Sequence, residues 1–214
     1  MTLTIVNLGL PKTGTTTLAR ALKVAGYKVA DHRIRPKQTD KVALHNKFVA
    51  DLLYHSYFET GDPGAYFTDF NALTELSLLR HGKSLWPQMD FALIDAIRRY
   101  HPDVRFLATR RESWDVSQSM LAWSDLGLDR LPASDIPGLP EGFGETSKER
   151  MQWIDGHYAH LAVIFAGDAH YLEVDVAAPD AQTVISMHIG TDLPWWGRAN
   201  SKRQADAHLP SYRA

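Results

Sequence analysis

A chain of 214 residues, 44% hydrophobic and 22% charged, is long and apolar enough for one substantial core and has the composition of an ordinary globular domain. It contains no cysteine, which excludes disulfides, thiolate nucleophiles and cysteine-ligated metals. The formal net charge of −2 gives no support for broad nucleic-acid binding, and no apolar run approaches the roughly 18 residues of a membrane span.

The run Leu3 to Leu10 reads as a buried parallel strand. A tight loop with Gly9, Pro11 and Gly14 follows it. A helical pattern then begins, with Leu18, Leu22 and Val24 apolar and Gly26 as its stop. Strand, glycine loop and helix together form the plan of a phosphate-binding loop. Backbone N–H groups converge at the helix N-terminus, and the helix dipole adds positive potential there. Thr15, Thr16 and Thr17 add hydroxyls and Lys12 adds a charge. The spacing is not that of a Walker A loop, which places lysine directly after the second glycine. Here Thr15 stands at that position and the lysine comes two residues before Gly14.

Val29-Ala30 forms a short second strand. Asp31 to Lys37 is basic and polar, and is either a solvated loop or a contact to substrate or nucleotide through residues such as His32. A helical period runs from Thr39 to Tyr57 through Val42, Phe48, Val49, Leu52 and Leu53, and Gly61 to Gly64 is a turn. Ala65 to Phe70 reads as a strand ending in a polar residue. Ligands of open parallel sheets sit at the carboxyl ends of strands. Asp69 is therefore a candidate for acceptor contact or general base, or equally a cap for the next helix. Leu73 to Leu79 and Phe91 to Tyr100 look helical. Val104 to Thr109 is the next buried strand, and it runs into Arg110-Arg111 and a segment containing Ser117 and Ser119.

From Ser124 to Ser147 three prolines (Pro132, Pro137, Pro140) and four glycines mark a long irregular excursion. Loops of that length inside a compact domain are usually functional. Lys148 to Phe165 is a helix with Met151, Ile154, Tyr158, Leu161 and Phe165 on one face. His157 and His160 on it read as structural. Ala169 to Asp175 is the last strand, Asp180 to Ile189 the last helix. The tail holds Arg198, Lys202 and Arg203. Alternating strands and helices specify an α/β fold in three layers, a central mainly parallel sheet with helices on both faces, in a single domain spanning 1–214.

The order Pro11-Lys12-Thr13-Gly14-Thr15-Thr16 resembles the 5′-phosphosulfate loop of sulfotransferases that use 3′-phosphoadenosine 5′-phosphosulfate (PAPS), in particular the small bacterial-type members. That resemblance implies a P-loop-type nucleotide-binding fold, PAPS as co-substrate, no metal, and transfer of a sulfuryl group to a hydroxyl or amine. Within it, Lys12 would neutralise charge on the bridging oxygen and the departing 5′-phosphate, while the loop from Pro11 to Thr17 holds that phosphate. The family places an arginine at a strand end and a serine eight residues on to hold the 3′-phosphate. Arg111 and Ser119 have that spacing; Arg110 with Ser117 is one short. Thr68-Asp69-Phe70 resembles an Asp-aromatic pair of the family, with Asn71 where proline is common. The segment 124–147 corresponds to a lid over the acceptor, and Arg198 and Lys202 to basic residues that reach the 3′-phosphate. Asp69 and His32 are the candidate bases. A P-loop small-molecule kinase and a non-catalytic nucleotide-binding protein are the alternatives. With no basic and apolar leader in its first residues, the chain is expected to be cytoplasmic.

Overall fold

The computed structural model describes residues 2–80 and 82–199. Five strands form one parallel sheet in the order β2-β3-β1-β6-β7. They are β1 (Ile5–Asn7), β2 (Val29–Ala30), β3 (Ala72–Leu73), β6 (Arg105–Arg110) and β7 (Tyr171–Asp175). A separate antiparallel hairpin joins β4 (Leu78–Arg80) to β5 (Lys83–Leu85). The helices are α1 (Thr15–Val24), α2 (Val49–Thr60), α3 (Phe91–Tyr100), α4 (Ser113–Leu121), α5 (Ser147–Ile164) and α6 (Ala181–Ile189).

The two faces of the sheet follow from the period-two alternation of its strands. Val6, Leu73, Phe106 and Ala108 point into a core shared with α2 to α5. Ile5, Ala72, Leu107 and Val174 point the other way, into a smaller core with α1 and α6. The α/β sandwich expected from the sequence is therefore present, and no described helix is long and apolar enough to cross a membrane.

Three stretches differ from the sequence reading. The helix expected over 39–57 starts only at Val49 and runs on to Thr60. Val42–Leu44 before it is a single 3₁₀ turn, and Val42 is exposed, so the apolar period had no core to face there. Ala65 to Phe70 is two successive turns, with Phe67 N donating to Gly64 O and Phe70 N to Phe67 O, and the strand comes after it at Ala72. Phe67 and Phe70 are both buried, a spacing of three that turns can satisfy and an alternating strand cannot. Leu73 to Leu79 ends β3 and enters the hairpin instead of forming a helix.

The excursion at 124–147 is packed against the body. Leu126, Leu131, Ile136 and Leu139 are buried in the larger core, and Trp153 Nε1 donates to Pro137 O at 2.9 Å. Its last residues are held by Arg150, whose side chain is 1% exposed. The guanidinium donates to Gly144 O (2.6 Å), Glu145 O (2.8 Å), Ser117 Oγ (2.9 Å) and Ser147 Oγ (3.1 Å). Thr146 and Glu149 form a reciprocal cap on α5 beside it. A buried charge is tolerable only with its hydrogen bonds made. Arg150→Leu removes the bonds to two carbonyls and two serine hydroxyls, and should lower unfolding free energy by roughly 2–4 kcal/mol. Denaturant unfolding measures this, and proteolysis between 137 and 147 should accelerate. A loss below about 0.5 kcal/mol, the level of an ordinary surface substitution, contradicts this role.

Candidate functional site

The loop after β1 stands on a buried polar network. Asn7 is fully buried at the end of β1. Its amide nitrogen donates to Thr74 O (2.9 Å) and Thr109 Oγ1 (3.2 Å). Its oxygen accepts from Thr109 N (3.0 Å) and Gly9 N (3.4 Å). One side chain thus ties together the carboxyl ends of β3, β1 and β6. Thr13 Oγ1 donates to Leu10 O at 2.6 Å, so its contact with Thr109 Oγ1 at 3.2 Å is one in which Thr109 donates. Tyr158 Oη and His157 Nε2, both from α5, donate to Thr109 O (2.7 Å) and Leu8 O (2.8 Å).

Close approach explains the glycines. A Cβ on Gly9 would lie 2.3 Å from Thr109 Oγ1 and 2.5 Å from Thr109 O. Gly14 has φ +100° and packs on Val176, which would stand 2.8 Å from an added Cβ. Lys12 also has positive φ, +73°. Two left-handed residues flanking Thr13 curl the backbone back on itself before α1. Gly14, at the N-cap, supplies no side chain to the first amides of that helix. Such a curled loop running into a helix N-terminus is a concave, anion-favouring surface.

The loop side chains divide by role. Thr13 is fully buried and structural. Thr15 Oγ1 donates to Glu75 Oε2 at 3.0 Å, and Thr17 Oγ1 to Gly197 O at 3.1 Å. Thr16 is exposed and Pro11 half-buried. Lys12 Nζ sits 3.7 Å above the Trp123 ring, a cation–π contact that holds the ammonium at the loop.

The two arginines separate cleanly. Arg110 ends β6 paired with Glu173 of the adjacent β7, and stacks 5.2 Å from Tyr158. Arg111 turns to the loop. Its Nη1 donates to Lys12 O at 3.4 Å, and its Nη2 lies 3.4 Å from Asp115. On α4, Ser119 is half-buried, whereas Ser117 is buried and taken by Arg150. The segment from Trp195 to Arg198 lies along α1, with Arg20 stacked 4.2 Å from Trp195 and exposed Arg198 next to the Gly197 that Thr17 contacts. Lys202 and Arg203 lie outside the described residues.

Asp69 is not part of this arrangement. Asn71, two residues on, accepts from Thr4 N and Ile5 N at the start of β1, so Asp69 stands at the amino end of the sheet, away from the loop. It accepts from Thr39 Oγ1 and pairs with Lys41 at 3.3 Å, and these contacts hold its pKa low. The expected strand ended at Phe70, three residues before β3 ends at Leu73. The carboxylate that does follow β3 is Glu75.

Glu75 and His32 meet at the carboxyl edge of β3 and β2. His32 N donates to Glu75 O at 3.1 Å. Glu75 Oε1 accepts from Ser77 Oγ at 2.6 Å while Oε2 accepts from Thr15 at the start of α1. His32 Nδ1 lies 3.1 Å from Ser77 O; a carbonyl can only accept, so Nδ1 carries a proton, and in the neutral ring the lone pair is on Nε2. Burial pushes the Glu75 pKa up, against the hydrogen bond from Ser77, the nearby His32 and the bond from Thr15. Sequence reading missed Glu75; its signal was a lone carboxylate two residues beyond an apolar pair. Among the described residues, no cluster of three or more histidine or acidic side chains is arranged to hold a metal ion.

Neither a scan against protein-family models nor a search of curated proteins finds a match for the chain.

The raised Glu75 pKa sets a direction for stability against pH. The unfolded carboxyl loses its proton near 4.5, before the folded one. Stability from this group is therefore full below that pH, and falls as pH rises towards the folded value. Comparing the melting temperatures of wild type and Glu75→Gln from pH 4 to 8 isolates it. The wild type should lose stability relative to the variant as pH rises. A constant difference across that range contradicts the assignment.

Proposed function

We propose that the protein is a PAPS-dependent sulfotransferase, moving a sulfuryl group from PAPS to a hydroxyl or amine. The observation that carries the reading is Lys12. It lies inside a curled loop at a helix N-terminus, with Arg111 against the same backbone and the Glu75–His32 pair tied through Thr15 to the same helix turn. A Walker-type kinase reading has no lysine after Gly14, where Thr15 instead bonds Glu75.

Transfer of this kind needs positioning and charge stabilisation more than covalent chemistry from the protein. Loop amides and the α1 dipole hold the 5′-phosphate. The Lys12 ammonium stabilises the negative charge that grows on it as the sulfur–oxygen bond to the donor breaks. Arg111 offers a planar, paired-donor grip to the remote 3′-phosphate. His32 Nε2 takes the acceptor proton, with the ring oriented by the hydrogen bond between its Nδ1 and Ser77 O. Asp69, at the far end of the sheet, has no part in this scheme.

Labelled PAPS incubated with a panel of hydroxyl and amine acceptors, read by mass spectrometry, tests the activity. With an active acceptor in hand, Lys12→Ala should lower kcat by roughly two to three orders of magnitude, because its interaction is made chiefly in the transition state. Turnover unchanged in Lys12→Ala contradicts the role. Arg111→Ala should raise KM for PAPS about ten- to a hundredfold, the loss of a charged hydrogen bond. Arg110→Ala, whose guanidinium is committed to Glu173, should leave that KM within about threefold, a change under 1 kcal/mol. A reversed pattern moves the 3′-phosphate grip to Arg110.

A further inference from the structure

The segment that follows β2 enters the scheme above only through His32. Between Lys28 and Lys47 the chain carries six lysines and arginines against two aspartates, in a protein whose formal net charge is −2. All six cations are exposed. Lys41 pairs with Asp69, and Asp31 is taken by Lys23 at 2.5 Å. Among the described residues, Arg33, Arg35, Lys37 and Lys47 have no ion pair.

These cations stand on a fixed frame. Ile34 and Leu44 are buried. Ile34 N donates to Lys47 O at 2.9 Å, Asn46 N to Ile34 O at 2.7 Å and Val49 N to His32 O at 2.9 Å, so the two ends of the segment run side by side. Gln38 Nε2 donates to Val29 O on the edge strand β2 at 2.9 Å. Arg33 is joined to the site through Phe48. The Phe48 ring meets the His32 ring edge-on, with centroids 5.2 Å apart, and the Arg33 guanidinium carbon lies 5.8 Å from the centre of that same Phe48 ring. Those two spans bound the distance from His32 to the guanidinium. Arg33 Nε donates to Asn46 O at 3.2 Å, while Nη1 and Nη2 make no hydrogen bond among the described residues.

We propose that the acceptor of the transfer carries an anionic group of its own, which the Nη pair of Arg33 grips while the acceptor's hydroxyl or amine lies at His32. The inference rests on the reading of His32 as the base that takes the acceptor proton. A planar guanidinium presents paired donors to a carboxylate, sulfate or phosphate. Arg35, Lys37 and Lys47 add a positive field that draws an anion towards this edge of the sheet. The nucleotide is a poorer fit for the same arginine, because Lys12 and Arg111 follow β1 and β6, and β3 separates β2 from both.

The probes are 4-hydroxyphenylacetate and its methyl ester, which share the phenol and differ in charge. An NMR titration with saturating adenosine 3′,5′-bisphosphate, followed on the His32 ring signals, should show the acid binding about five- to tenfold more tightly than the ester, the worth of a paired-donor ion contact at the surface. That preference should shrink as salt rises from about 0.05 M to about 0.5 M. Arg33→Gln should bring the acid to within about twofold of the ester, and Arg33→Lys, which keeps the charge, should retain part of the preference. Lys41→Gln, whose ammonium is already paired with Asp69, should leave the preference unchanged. Equal affinities for acid and ester, unmoved His32 signals, a preference that survives Arg33→Gln, or one that Lys41→Gln removes as fully would each overturn the proposal. Turnover with PAPS separates this inference from the reading beneath it. Sulfuryl transfer to acid and ester with equal KM overturns the inference and leaves the sulfotransferase reading intact. An Arg33-dependent preference for the acid without transfer to either probe supports the anion grip and counts against the sulfotransferase reading instead.

Discussion

The carboxamide of Asn7 is the joint on which the carboxyl end of the sheet depends. All four of its hydrogen-bonding capacities are used, two as donor and two as acceptor, on the ends of two neighbouring strands and on the first residue of the loop. A buried polar group is costly unless satisfied, and a satisfied one admits a single geometry. Thr109 relays that geometry to Thr13, and Thr13 closes the loop on Leu10. The glycine at position 9 is then a consequence, since any side chain there would enter the Thr109 hydroxyl. The left-handed backbone at Lys12 and Gly14 is held by the same frame, which offsets the cost of a non-glycine residue at positive φ.

The sheet has two chemically different ends as a result. At the carboxyl end the chain gathers Lys12, Arg111, Glu75 and His32 around a helix N-terminus. At the amino end it leaves Asp69, Lys41 and Thr39 in contacts that satisfy one another. The proposed transfer needs charged groups fixed before the substrate arrives. Here the fixing comes from inside: Trp123 under the Lys12 ammonium, Thr15 on Glu75, and Ser77 on both Glu75 and His32. The excursion belongs to the same construction. Arg150 joins its end to Ser117 on α4, so buried hydrogen bonds tie the helix that follows the two arginines to the end of that segment.

Much of this architecture is legible in the amino-acid sequence. The first loop, α1, α3, α5, α6 and the strands at 105–110 and 171–175 stand out there, because long periodic runs between glycine, proline and cap residues leave few alternatives. The stretch from 39 to 79 does not. Its one strand of the central sheet, β3, has only two residues, too short to show alternation, and its place is set by partners distant in sequence, as in the bonds from Thr4 and Ile5 to Asn71. That shift moved the expected carboxylate from Glu75 to Asp69. The arginine register is equally hidden, since Arg110 and Arg111 are distinguished by Glu173, a partner on another strand. His157 reads as structural, and in the fold it is buried and bonded to Leu8 O.

The central claim is that the Lys12 loop and Arg111 together receive a nucleotide carrying phosphates at both the 3′ and 5′ positions. Calorimetric titration with adenosine 3′,5′-bisphosphate in the absence of divalent metal tests it most directly, with ATP and Mg²⁺ as the comparison. The account predicts saturable binding of one adenosine 3′,5′-bisphosphate per chain and at least tenfold weaker binding of ATP with Mg²⁺, which lacks a 3′-phosphate for Arg111 to hold and so forgoes about 1.5 kcal/mol or more. Tighter binding of ATP with Mg²⁺, or no binding of the bisphosphate, would contradict it.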